Sequence, residues 1–207
     1  MEGVQEDDAY IPGVQHKLLM QSPYSFIVKP VKGKRYDNIR VYGDRDLIIS
    51  VSEEDHTVAN RYAEVVSVPM GYKGEVSKGD TILVHHNVFK YYNDIYGRQK
   101  SGRSWLKDNL FIVDFDQFFL YKKGDEWKAF DKYCFVKPIK KKDSYIIGSG
   151  VKDEPLHGEL VYINDQLVEL GLEKGDSICF EPFSEYMFDI EGQKLFRMYT
   201  SNITIKL

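Results

Sequence analysis

Short apolar runs, broken by glycine, proline and charged turns, fill the chain from about residue 25 to its end. SFIVKPV (Ser25 to Val31), YAEVVSVP (Tyr62 to Pro69) and TILV (Thr81 to Val84) are dense in β-branched and aromatic residues, which predicts strands. No window sustains a 3.6-residue apolar period, and NDQLVELGLEKGD has room for at most one helical turn. IVKP predicts a strand ending at its proline, which has no N–H to give to a ladder. In each Lys-Gly-Asp, glycine supplies a positive φ and aspartate bonds its own backbone, so a tight turn is expected. DIYGR (Asp94 to Arg98) and DIEGQ (Asp189 to Gln193) predict hairpin tips at matching places, and YKKGDEWKAF predicts a third hairpin turning at Gly124-Asp125. The fold class this predicts is all-β.

The runs come in two sets. SFIVKPV returns as CFVKPIK (Cys134 to Lys140), and YAEVVSVP returns as HGELVYIN (His157 to Asn164). SKGDTILVHHN (Ser77 to Asn87) returns as EKGDSICFEPF (Glu173 to Phe183). Each set closes on a short apolar strand, FDQFFLY (Phe115 to Tyr121) or SNITIKL (Ser201 to Leu207). Lys29 and Lys137 stand 108 positions apart, Gly79 and Gly175 only 96, so the first set holds 12 more residues before its KGD turn. Loops absorb insertions more readily than strands, which makes that region a loop in both. The organisation expected is a tail over 1–20, a first unit over 21–128 and a second over 129–207, each unit a small β-barrel or sandwich of about 80 to 100 residues.

Composition narrows the function classes. With 43% apolar and 29% charged residues the chain is an ordinary globular one, and a net charge of −4 creates no global field for nucleic acid or anionic membrane. No run reaches the roughly 18 apolar residues of a membrane helix, and the acidic start MEGVQEDDAYIPGVQ lacks a signal core. Cys134 and Cys179 sit in strand patterns and read as small core residues in a reducing compartment. His85 and His86, as strand neighbours, are expected to face opposite ways and to share no metal, while His56 belongs to a solvated acidic loop. No phosphate loop or G-x-S-x-G elbow is present, so neither cofactor nor catalysis is expected. KGKRYDNIR and YGRQKSGRSWLK mix basic and aromatic residues, the one feature that suits single-stranded nucleic acid.

The order of an FIVKP strand, a long polar loop, a GEV…V strand, a KGD turn into ILV and a closing ITI strand resembles the GroES-like co-chaperonins. The chain looks like a tandem version, similar to divergent phage forms and to the double-unit plastid form, over Pro23 to Leu207. The resemblance implies two small β-barrels with long mobile loops, each loop presenting an apolar tripeptide to the apical groove of a large chaperonin. In the first loop, Lys32 to Asn60, that tripeptide is Leu47-Ile48-Ile49. In the second, Lys140 to Pro155, it is Tyr145-Ile146-Ile147, where the tyrosine departs from the aliphatic pattern. Physically, each is a β-prone triplet in a charged, glycine-bearing segment that can add to a partner's strand or groove, and several on one ring gain affinity together. The alternative is that DLIIS is a buried strand of the first barrel.

The family also pairs the last strand of one subunit with the opening strand of the next. Here one such joint is expected inside the chain, between QFFLY and KAFDKYCFVKP. The other falls between molecules, from the edge strand Ile203, Ile205 and Leu207 to Phe26, Ile27 and Val28 of a neighbour, closing a ring. The resulting expectation is a non-enzymatic co-chaperonin of the cytoplasm (the host's, if viral). Its partners would be a large chaperonin and its own copies, with no membrane and no nucleic acid. Two other classes stay open: a structural or virion β-protein assembling through edge strands, and an oligonucleotide-binding barrel.

Overall fold

The structure, a computed structural model, describes residues 20–36, 39–42, 45–48, 59–140 and 153–207. The chain is all-β. The first half contributes β1 (Phe26–Pro30), β2 (Ile39–Tyr42), β3 (Arg45–Ile48), β4 (Tyr62–Ser67), β5 (Thr81–Val84), β6 (Tyr91–Asn93), β7 (Gln99–Ser101), β8 (Trp105–Lys107), β9 (Leu110–Val113), β10 (Phe118–Lys123) and β11 (Glu126–Ala129). The second contributes β12 (Tyr133–Lys140), β13 (Asp153–Tyr162), a single helical turn α1 (Asp165–Glu169), β14 (Ser177–Phe180), β15 (Tyr186–Ile190), β16 (Gln193–Tyr199) and β17 (Ile203–Lys206).

Two antiparallel sheets carry the fold, in the orders β11-β10-β5-β4-β1-β9-β8 and β15-β16-β12-β13-β14-β17. Reversed, the second order matches the first strand for strand, with β17, β14, β13, β12, β16 and β15 standing for β10, β5, β4, β1, β9 and β8. Even the irregularities coincide. The β1–β4 ladder slips register between Ile27 and Val28, and β12–β13 slips between Phe135 and Val136, the same positions 108 residues on. Among the described residues no ladder joins the two ends of either sheet.

The same turn chemistry recurs. Gly79 and Gly175 both hold φ 92°, a conformation that a side chain would strain. The Asp80 carboxylate accepts the Ser77 N–H at 2.8 Å, and that of Asp176 accepts the Glu173 N–H at 2.7 Å. A lysine clamps each turn, Lys123 on Asp80 at 3.0 Å and Lys206 on Asp176 at 2.6 Å. The Lys206 ammonium holds the Asp176 carboxyl below the usual carboxylate range.

β1 ends at Pro30, as IVKP predicts, whereas β12 runs through Pro138 to Lys140, its register slipping beyond the proline, because an irregular ladder needs no N–H there. Two expectations of local structure change. DIYGR and DIEGQ are both hairpin tips but not counterparts. DIYGR closes β6–β7, a separate two-stranded ribbon, and DIEGQ closes β15–β16, whose topological match is β8–β9. His85 and His86 lie in a turn past β5 rather than on a strand, so their rings meet at a tilt with centroids 4.1 Å apart.

The alternation along the paired strands builds one core per unit. Phe26, Val28, Val65, Ile82, Val84 and Val113 fill the first, and Cys134, Val136, Leu160, Ile178, Phe180 and Met198 fill the second from the corresponding positions. Burial pushes the Cys134 thiol up to about 12, so it is an inert packing group.

Candidate assembly interface

A third cluster lies between the units and has no counterpart within either. Leu83, Phe119 and Leu120 sit on the faces of β5 and β10 turned away from the first core, with Trp127 and Ala129 of β11 beside them. They meet Tyr133 and Phe135 of β12, Phe188 and Ile190 of β15, and Leu195 of β16. Successive strand residues point to opposite faces, so apolar residues in unbroken runs such as FFLY and YCFV are buried on both sides. Burying a Leu or Phe side chain is worth about 1.5–3 kcal/mol, which makes this cluster a tight joint rather than a linker. Edge-to-face rings add direction, Phe119 to Tyr133 at 4.9 Å and to Phe188 at 5.6 Å.

Polar groups cross the same joint. Glu191 accepts from the Trp127 indole N–H at 3.0 Å and pairs with Lys122 at 3.1 Å, and the two donors hold its carboxyl below the usual range. Arg61 donates to the Met187 carbonyl at 3.2 Å and stands 4.5 Å over the Phe188 ring. The Tyr186 hydroxyl and His86 Nδ1 lie 2.5 Å apart, and the Tyr186 ring stacks on His85. The Arg197 guanidinium sits 4.8 Å from the Phe119 ring, and its buried Nε has no hydrogen-bond partner. Burial lowers the affinity of His85 for a proton, and Arg61 and Arg197 lower it further.

The strand that leads into the second unit closes the first. β11 pairs antiparallel with β10, from Leu120 with Ala129 to Lys123 with Glu126, around Gly124-Asp125 as expected. The joint expected inside the chain is therefore present, but it is made by β11 and not by the CFVKP strand. β12 instead has β13 on one side and β16 on the other.

The second unit's counterpart of β10 is β17, which among the described residues is paired with β14 on one side only. Ile205 occupies the place of Leu120, and where Leu120 is fully buried Ile205 is 55% exposed, with Leu207 65% exposed beyond it. Ile203, Ile205 and Leu207 thus form an edge, as the alternating NITIKL pattern suggests. Phe26, Ile27 and Val28 do not. β1 is laddered to β4 and β9 on its two sides, and all three residues are buried, so the expected edge on the opening strand is corrected. Two neighbours already take its N–H and C=O groups, leaving none for another molecule.

Of the first triplet, Leu47 and Ile48 lie on β3, which among the described residues pairs only with β2, as a two-stranded ribbon between β1 and β4 in the chain; Ile49 lies outside the described residues. Tyr145, Ile146 and Ile147 lie outside them too, as does His56. Among the described residues no helix is long and apolar enough to cross a membrane, and no group of three or more His, Cys, Asp or Glu could hold a metal. The inter-unit cluster was missed from sequence. Its signal is the contrast between the unbroken run FFLY and the alternating NITIKL at equivalent positions.

No protein-family model matches the chain. No curated protein matches it either.

Proposed function

We propose that this chain is a co-chaperonin of tandem GroES-like units that caps a large ATP-driven chaperonin. The observation that carries the proposal is the closing of the first unit's β10 by β11, the strand that leads into the second unit, while among the described residues the equivalent edge of the second unit, β17, has no partner. A unit whose β10 is completed by the segment leading into the next unit is built for head-to-tail assembly, and repetition of that joint between molecules closes a ring.

The donor strand follows from the duplication. β11 lies 108 positions after Leu18-Leu19-Met20-Gln21, the offset that also separates Lys137 from Lys29. That segment of a neighbouring molecule, rather than Phe26 to Val28, is the proposed partner of Ile203, Ile205 and Leu207. Deleting 203–207 is expected to reduce the oligomer to monomer in light scattering.

On such a ring the triplets Leu47-Ile48-Ile49 and Tyr145-Ile146-Ile147 would enter the apolar apical grooves that hold unfolded substrate, releasing it into an enclosed chamber. Nucleotide would be bound by the chaperonin, and unequal affinity for its nucleotide states would drive the cycle. The test is mass photometry of the protein alone and with a bacterial chaperonin plus ADP. A ring-sized species, and a mass shift on the chaperonin that disappears in Ile48→Ser/Ile49→Ser, are expected. A monomer at every concentration that never shifts the chaperonin would favour the structural β-protein instead.

A further inference from the structure

We propose that the β6–β7 hairpin is a docking surface for acidic polypeptide segments in extended conformation. The ribbon is rigidly mounted. Arg35 donates from Nε to the Phe89 carbonyl at 2.7 Å and from Nη1 to the Ser101 hydroxyl at 3.0 Å, and its guanidinium lies 3.5 Å over the Tyr91 ring. The Tyr91 N–H donates to the Tyr36 hydroxyl at 2.8 Å, and the two rings stack. One face is thereby fixed to the body of the first unit.

Tyr92 and Lys100, a cross-strand pair, occupy the other face and are exposed. The tip is tightly made, with the Asp94 carboxylate accepting the N–H groups of Tyr96 and Arg98 at 2.9 Å each. Yet it presents Ile95 at 91% and Tyr96 at 75% exposure, with Arg98 5.5 Å from the Tyr96 ring. Apolar side chains held outward on a rigid support mark an interaction site.

Charge says what would bind. Residues 90–108 hold five Lys or Arg against two Asp, in a chain whose net charge is −4. Elsewhere eight lysines have a carboxylate within ion-pair distance. Among the described residues none of Arg98, Lys100, Arg103 and Lys107 does, so the local positive field is not cancelled. The occupant is therefore anionic. The outer edge of β7 is without a ladder among the described residues, and an extended peptide can pair with it while its side chains meet Tyr92, Ile95 and Tyr96. A nucleic acid would find cations and rings but has no amides to complete a ladder, which favours polypeptide.

The experiment is fluorescence anisotropy on the full chain without any chaperonin, so its outcome is separate from that of the capping test. The probes are a labelled peptide of alternating Glu and Phe, its Lys/Phe counterpart, and an oligothymidine. Preferential binding of the Glu/Phe peptide is expected, weakening with salt and falling about tenfold in Arg98→Glu/Lys100→Glu. The same charge change placed elsewhere, in Lys29→Glu/Lys137→Glu, should leave it unaltered. Both pairs are on the surface, so circular dichroism should show an intact fold. Equal binding of both peptides, binding of oligothymidine alone, no binding at all, or a double variant that binds like the parent would each overturn the proposal.

Discussion

Replacing Trp127 with alanine tests whether the two units are one cooperative body. The indole is 4% exposed, lies in the cluster between the sheets, and donates to Glu191 of the second unit. Trp→Ala in a packed core costs about 3–5 kcal/mol, the lost transfer energy plus the cavity left behind. At roughly 2–4 °C per kcal/mol for a chain of this length, the melting temperature should fall by roughly 10 °C. The pattern of the loss matters more than its size. Trp127 belongs to the cluster between the units rather than to either unit's own core, so the energy removed is chiefly coupling energy, and a transition expected to be single in the parent should split toward two. Urea unfolding followed both by far-ultraviolet circular dichroism and by fluorescence of the remaining Trp105 reads this directly, because Trp105 reports only the first unit. Trp127→Phe keeps most of the apolar body and should stay close to the parent. Coincident transitions in Trp127→Ala, with a loss below about 1 kcal/mol, would refute the inter-unit joint as a source of stability.

Gly158 should tolerate no side chain, since a Cβ there would meet Val136 Cγ1 at 2.2 Å and the Lys137 carbonyl oxygen at 2.9 Å. Gly158→Val should cost about 1–3 kcal/mol in urea titration, and a neutral result would mean that β12 and β13 separate more easily than their ladder implies. His85 makes the joint pH-dependent. Its proton affinity is lowered chiefly by burial and then by Arg61 and Arg197, with Asp116 opposing, while Tyr186 stacks against it and the His86 ring lies tilted beside it. The neutral form is therefore favoured in the folded state. The contribution is complete above about pH 6.5 and is lost as the pH falls from there through the lower folded-state value, since the unfolded chain takes up the proton first. Thermal melts of the parent at about pH 7.5 and about pH 5.5 should differ by more than those of His85→Gln; equal differences would exclude the histidine.

Local chemistry along the chain determined a good deal. The Lys-Gly-Asp turns fold as their residues demand, because glycine at φ 92° and an aspartate bonding the backbone three residues back need nothing distant. The duplication was legible for the same reason, since each run carries its strand signal in its own β-branched residues. The all-β class and the intrachain hairpin at Gly124-Asp125 followed from these. Which strand edges end up covered did not. Phe26 to Val28 and Ile203 to Leu207 look alike as apolar runs, yet the first is laddered on both sides and the second on one. That difference depends on partners that are remote in sequence, β9 for β1 and, among the described residues, none for the outer side of β17. The stacking of His85 and His86 on Tyr186 likewise required the second unit to arrive about a hundred positions later. Propensity and turn chemistry act over a few residues, whereas edge capping and two-sided burial arise only when complementary faces meet in space.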